Sequence, residues 1–193
     1  MSFSLYTVAL FVHLLGVVGL FAGIALNTSS MANWRRAGTL GELRMWAGKA
    51  KNTEKVLKFS VLALMLGGLY LSYSANLWAQ GWVGMAILAT FANAAAGPLV
   101  IGRTVGGIMK DAGGPPEAPV SAEVRARVEA PKVWIVERAM SAIGVGLVFL
   151  MVFRPTSYAG AFAVLIAFAA IGASSVIGRR SAGPALSGEL PGA

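Results

Sequence analysis

The only histidine of the chain, His13, lies inside a stretch that is apolar enough to cross a membrane. This stretch, residues 5–27, contains no Asp, Glu, Lys or Arg, and a helix needs about 20 apolar residues to span the hydrocarbon core. His13 is about nine residues into the segment, which places it roughly 13 Å below the membrane surface. An ionisable side chain at that depth is a candidate for function by default, and imidazole is a common axial ligand of haem iron.

A helical wheel puts His13 on a face of small and polar residues. This face consists of Ala9, His13, Gly16, Leu20, Gly23 and Asn27. Two interpretations follow from the pattern. In the first, Gly16 and Gly23 leave room beside His13 for a flat cofactor such as haem b. In the second, a neutral His13 is hydrogen-bonded across a helix interface, and the two glycines serve helix packing.

A second axial ligand for haem would have to be a methionine, because the chain has no other histidine and no cysteine. Met65 and Met85 are the two methionines at a suitable depth. The alternative is that both are ordinary packing residues, which is the usual role of methionine in an apolar helix. The absence of cysteine also excludes disulfides and thiolate metal sites, so the only metal we expect at His13 is haem iron.

Thr90 and Asn93 are further polar residues inside the apolar segments, and both lie in the third one. They share a face with Ala86 and Gly97, and Thr90 is about as deep as His13, roughly 13 Å below the surface. The matching depth and the matching small, polar faces predict that the His13 face is buried against the third helix. Gly97-Pro98 is expected to break that helix, because proline has no backbone N–H to donate.

Five apolar segments predict an all-α, polytopic membrane helix bundle. The expected spans are residues 5–27, 53–73, 82–103, 132–153 and 158–177, in one transmembrane domain over residues 1–178. A cytoplasmic tail, residues 179–193, is expected to be disordered.

The connecting segments predict one or two short helices at the membrane surface. Thr39 and Glu42 have the spacing of a capping box, and a helix over residues 40–50 would lie at the headgroup level beside Trp34 and Trp46. A second short helix is expected after Ser121, with i,i+4 ion pairs, and the Gly- and Pro-rich stretch before it reads as a flexible linker.

The net charge of +8 is explained by an uneven distribution and requires no nucleic acid. Fifteen of the 16 Lys and Arg residues fall on one side of the predicted topology, and Arg154 is the exception. The positive-inside rule places the basic side in the cytoplasm. We therefore expect a bacterial inner-membrane protein with its amino terminus outside and its carboxyl terminus inside. The expected partners are the lipid bilayer and, as an open alternative, other membrane subunits or further copies of the chain.

The sequence FVHLLGVVGLFAG, residues 11–23, resembles the first helix of copper-resistance-protein-D-like membrane proteins. That group includes HemJ-type protoporphyrinogen oxidases and an uncharacterised bacterial family of small integral membrane proteins. The basic loop after the first span, and Gly97-Pro98 followed by Arg103, look most like the uncharacterised family. The resemblance implies that His13 holds haem b. The related enzymes carry further histidines or an intramembrane basic residue that this chain lacks, so it does not extend to enzymatic oxidation or copper transport.

Three classes of function are compatible with these features. A haem-binding or redox membrane protein would use His13. A structural or accessory subunit of a membrane complex would use the glycine and alanine faces and need no cofactor. A transporter is the least supported class, because the central parts of the spans hold no ionisable residue except His13. No motif of an enzyme is found, which leaves catalysis without a candidate residue.

The predicted topology can be tested with reporter fusions. A reporter fused at Asn76 should lie outside the membrane and one at the carboxyl terminus should lie in the cytoplasm, because the basic residues divide 15 to 1 between the two sides. Two reporters on the same side would mean that a span is missing or that the chain is inverted.

Overall fold

The computed structural model describes residues 4–181, with side chains through residue 176. Within this range the chain is all-α, and its only β contact is an isolated bridge between Thr39 and Pro119. The elements are α1 Leu5–Arg36, α2 Leu40–Ser74, α3 Gly81–Ala96, a π-helical segment Gly97–Gly102, α4 Arg103–Asp111, α5 Ala122–Val128, α6 Pro131–Phe153 and α7 Tyr158–Ser181.

Five stretches of helix among the described residues are long and apolar enough to cross a membrane. They are Leu5–Arg36, Leu40–Ser74, Gly81–Asp111, Ala122–Phe153 and Tyr158–Val176. The predicted all-α bundle with five membrane-spanning helices is therefore confirmed. The tail predicted over 179–193 begins within α7, and its residues beyond 181 lie outside the described range.

The bundle has two different ends. The first, here called the turn end, carries the two short connections at residues 75–80 and 154–157. The second, here called the cap end, carries the connection at 37–39 and the segment from α4 through α5 to the start of α6. Within the described residues, the basic residues other than Arg154 lie in the cap-end half of their helices and connections, except Lys58, which lies at the middle of α2.

The predicted separate helix over residues 40–50 is not formed, because α2 runs without interruption from Leu40 to Ser74. No proline interrupts the sequence near residue 50, and the Thr53 hydroxyl donates to Lys49 O at 3.0 Å within the helix and does not cap a new one. The capping box itself is confirmed: Glu42 N donates to Thr39 Oγ1 at 3.2 Å, and Glu42 Oε2 accepts from Thr39 N at 3.4 Å.

Gly97-Pro98 does not break the third span. The helix widens into the π-helical segment, in which Arg103 N donates to Pro98 O five residues earlier, and it then continues as α4. A π turn absorbs the missing proline N–H without ending the helix.

A compact hydrophobic core lies at the cap end. Trp34 and Leu43 are at most 1% exposed and pack there with Ile108 and Val128. Trp34 is therefore a core residue of the cap. The sequence had suggested that it marks the headgroup level. Burial of this core holds the cap ends of α1, α2 and α4 together with α5.

The segment predicted to be a flexible linker is bound to the start of α2. Leu40 N donates to Ala118 O at 2.9 Å and Gly41 N donates to Pro116 O at 2.8 Å. Arg44 donates to the carbonyls of Ala112 and Gly114 at 2.8 Å each. These bonds satisfy backbone groups that the ends of helices otherwise leave unpaired.

The two i,i+4 pairs predicted in α5, Glu123 with Arg127 and Arg125 with Glu129, are replaced by longer-range contacts. Arg125 donates to the carbonyls of Arg35 and Ala37, which closes the end of α1, and Arg127 pairs with Asp111. The i,i+4 pair of Glu54 and Lys58 in α2 does form, at 3.7 Å.

The helices α1 and α2 form an antiparallel hairpin whose backbones nearly touch. A Cβ atom added to Gly16 would lie 2.5 Å from Leu64 N, and one added to Gly67 would lie 2.8 Å from Ala9 O. A Cβ added to Gly23 would meet the side chain of Leu57. The small face of α1 therefore packs on α2. The prediction that this face is buried against the third helix is wrong.

The hairpin contact predicts the effect of a single methyl group. Gly16→Ala should lower the free energy of unfolding by about 1–3 kcal/mol, because the methyl overlaps the α2 backbone, which cannot move aside. Gly48→Ala is the matched control: it is also a helical glycine, but nothing lies within 4 Å of its added Cβ. The control should be neutral or stabilising, as expected for alanine in a helix. Thermal unfolding in detergent would measure both, and equal effects would contradict the close contact.

Candidate functional site

The His13 imidazole is held by the backbone of α2. Its Nδ1 lies 2.8 Å from Leu64 O, and its ring packs against Gly68, where an added Cβ would lie 3.1 Å from Cε1 and Nδ1. A carbonyl oxygen can only accept, so Nδ1 carries the proton in this hydrogen bond. The bond therefore fixes the orientation of the ring and, in the neutral imidazole, assigns the proton to Nδ1 and the lone pair to Nε2.

The second ring nitrogen, Nε2, is left with a lone pair and no hydrogen-bond partner among the described residues. Nε2 is not fully enclosed by protein atoms, so it borders open space. Histidines that bind metals commonly have this arrangement, in which one N–H donates to a backbone carbonyl and the other nitrogen is the ligand.

His13 lines a partly open cavity of about 380 Å³ in the turn-end half of the bundle. The walls come from α1, α2, α3 and α6, with the turn residue Leu77 and Arg154, the residue that follows α6, closing the turn end. Much of the lining is apolar and includes Val17, Leu64, Val83 and Ile87. This volume falls in the range of about 300–1,000 Å³ typical of small-molecule sites, which combine apolar walls with a few polar groups.

The polar groups of the cavity lie at two depths. His13 and Thr90 are inside, and Tyr6, Ser72 and Arg154 are near the turn end. Thr90 is 5% exposed and its hydroxyl donates to Ala86 O of its own helix at 2.7 Å, so it is not the hydrogen-bond partner of His13. The cavity thus has one nitrogen available as a ligand, surrounded by hydrocarbon, and a more polar mouth.

The predicted site residues separate into three places. Met65 lines the His13 cavity, whereas Met85 and Asn93 line a different cleft of about 370 Å³ between α3, α6 and α7. Met85 is therefore not available as a second ligand. Gly16 and Gly23 lie in the α1–α2 contact, so they bring the helices together and do not leave room for a ring, as the first interpretation required.

Asn93 has a structural partner. Its side-chain Nδ2 donates to Met140 O of α6 at 3.1 Å, which links α3 to α6. Met151, which the sequence did not single out, is a second methionine in the wall of the His13 cavity. Its position two residues before the end of the fourth span was the available signal, because that end and the start of α1 both lie at the turn end; Met151 is therefore nearer the mouth than His13.

Glu137 is a buried carboxylate that sequence reasoning missed. It lies six residues into α6 and is 1% exposed. Its Oε1 accepts from Thr28 Oγ1 at 2.6 Å and from Ser141 Oγ at 3.3 Å, while Oε2 lies 3.4 Å from Arg138 Nε without a hydrogen bond. An acidic residue inside an apolar span was the signal that could have found it. The network connects α1 to α6 on the cap side of the His13 cavity.

The Thr28–Glu137 contact can be tested by removing the hydroxyl. Thr28→Val should cost about 1.5–3 kcal/mol of unfolding free energy, the range for hydrogen bonds to charged groups. Thr104→Val is the control, because Thr104 is also half-buried but its hydroxyl only donates to Val100 O of the same helix. Chemical unfolding in mixed micelles would compare the two, and a Thr28→Val effect no larger than the control would refute the link.

Comparison of the chain with protein-family models, curated proteins and solved structures finds no match in any of the three. The resemblance of the first span to copper-resistance-protein-D-like proteins therefore stays a prediction. The structure shows an all-α bundle with five helices long and apolar enough to cross a membrane, and a cavity that His13 helps to line.

Proposed function

We propose that the protein binds haem b in the turn-end cavity, with His13 Nε2 as an axial ligand of the iron. The observation that carries the proposal is the hydrogen bond from His13 Nδ1 to Leu64 O in the wall of the cavity, which in the neutral imidazole leaves the lone pair of Nε2 free for a ligand. A backbone acceptor of this kind is the usual second partner of a metal-ligating histidine.

The residues around the cavity suit a haem group. The apolar walls match the macrocycle, and Met65, nine residues from the turn end of α2 and so about as deep as His13, offers a thioether sulfur as a second ligand; pairing with histidine raises the reduction potential of haem iron. When bound, haem supplies a one-electron redox centre. The protein would contribute the ligand, its fixed orientation and the exclusion of water from the apolar part of the site.

The proposal includes an orientation in a bacterial inner membrane. The cap end carries nearly all the basic residues and would face the cytoplasm, which places the His13 cavity in the outer half of the bilayer. A redox centre there would exchange electrons on the outer side.

An accessory subunit without a cofactor is the second candidate. It is favoured by the packing of Gly16 and Gly23, which are fully used in the α1–α2 contact. In that case His13 acts as a hydrogen-bonding residue of the hairpin. Transport remains the least supported class, since Glu137 is enclosed by Thr28, Ser141 and Arg138 and borders neither cavity.

The haem proposal is tested by spectroscopy of protein expressed with ample haem and purified in detergent. The wild type should show a Soret band, and His13→Ala should lose it, because the variant removes the only imidazole. Added imidazole should restore the band in a folded variant, since it can enter the space that the side chain left.

Methionine variants are the matched controls for the same spectra. Met85→Leu should leave the spectrum unchanged because it lines the other cleft, whereas the double variant Met65→Leu, Met151→Leu should alter the low-spin spectrum. A wild-type protein without Soret absorbance would reject haem binding and leave the accessory-subunit function. An unchanged band in His13→Ala would mean that haem binds elsewhere.

A further inference from the structure

Arg154 is held in an unusual backbone conformation at the mouth of the His13 cavity. It ends α6 with φ 47° and ψ 56°, in the left-handed region that favours glycine, and its N–H donates to Leu150 O at 2.9 Å. Glycine commonly occupies this position because any Cβ is disfavoured there. Arg154 is exposed, and a non-glycine residue held in this region motivates a functional hypothesis for its side chain.

The guanidinium has no carboxylate partner within residues 4–181. In that range Arg154 is the only Lys or Arg at the turn end, and every Asp and Glu belongs to the cap-end half of its helix or to a cap-end connection. Its Nε donates to Met151 O at 3.2 Å, and the guanidinium lies 6.0 Å from the centre of the Trp82 ring. The two terminal NH₂ groups have no hydrogen-bond partner among the described residues.

The residues that Arg154 contacts belong to the cavity wall. Met151, which accepts its Nε–H, and Trp82, over which it lies, both line the cavity with it. A guanidinium fixed by one N–H and by an aromatic ring keeps its remaining donors in the planar geometry that binds carboxylates in pairs of hydrogen bonds.

We propose that Arg154 binds a carboxylate of the cavity ligand, so that the site takes a tetrapyrrole with its carboxylate edge at the turn end. This inference rests on the proposed haem function and adds to it the orientation of the ligand and the group that selects it. The two depths of polar lining support it: a metal ligand, His13, lies within hydrocarbon, and a cation lies at the mouth. A ring with an apolar edge, a central metal and a carboxylate edge matches both.

The experiment compares haem with its dimethyl ester, which has the same ring and iron but no carboxylates. Equilibrium titration of apoprotein in detergent, followed by Soret absorbance, gives a Kd for each ligand with the wild type and with Arg154→Gly. Glycine suits the left-handed backbone, so this variant removes the side chain without straining the turn. Arg154→Gln, which keeps the side-chain length without the charge, is the second variant.

The wild type should bind haem about tenfold more tightly than the ester, the size expected of one charge-assisted pair at a partly exposed site. Both variants should lose about tenfold in haem affinity and bind the ester as the wild type does. Unchanged haem affinity in both variants, with His13→Ala still abolishing binding, would overturn the role of Arg154 and leave the haem function standing. Absence of any haem binding would overturn both.

Two further outcomes would also overturn the inference. Equal losses for haem and ester would show that Arg154 acts through the shape of the cavity. Equal wild-type affinities for haem and ester, together with a thermal stabilisation by phosphatidylglycerol that Arg154→Gly abolishes, would assign the guanidinium to a lipid phosphate.

Discussion

The structure depends on how closely the backbones of α1 and α2 approach each other. In a bilayer, helices gain little from hiding apolar side chains, so their association relies on close packing and on hydrogen bonds between them. Gly16 of α1 and Gly67 of α2 remove the side chains that would hold the two backbones apart. The imidazole of His13 can then reach Leu64 O at 2.8 Å across the interface. The same contact fixes the hairpin and prepares the ring for a ligand.

Nearly every polar side chain inside the bundle is paired with a backbone carbonyl or a hydroxyl. Asn93 donates to the α6 backbone, Thr90 to its own helix, and Glu137 accepts from Thr28. Such pairing is required where water is absent, because a polar group without a partner is costly in hydrocarbon. Glu137 Oε2 also lacks a hydrogen bond, but it is enclosed beside Arg138. His13 differs because its side chain lines a cavity and its Nε2 has no partner among the described residues. This contrast is the physical basis of the proposed ligand site.

The two ends of the bundle are built on different principles. The cap end has a hydrophobic core, and Arg44 and Arg125 close the ends of helices by donating to their carbonyls. These two cations therefore serve the fold. The turn end has short connections, and Arg154 is its only Lys or Arg within the described residues. No carboxylate in that range pairs with Arg154, which is why the proposed ligand contact falls at this end.

The sequence by itself determined the features that depend on local composition. Five apolar segments predicted the five long apolar helices, and Thr39 and Glu42 predicted the start of α2. One local signal was misleading: Gly97-Pro98 was expected to break the third span, but a π-helical segment accommodates the missing proline N–H and the helix continues.

Only the tertiary structure decided which helix receives the His13 face. Small and polar faces occur on both α2 and α3, and residue spacing cannot choose between two similar faces. In the structure the His13 face packs on α2. Met65 of α2 and Met151 of α6 then line the cavity with His13, whereas Met85 lines the other cleft. The partners of Glu137 and the surroundings of Arg154 depend on residues from distant helices, so no local pattern could have specified them.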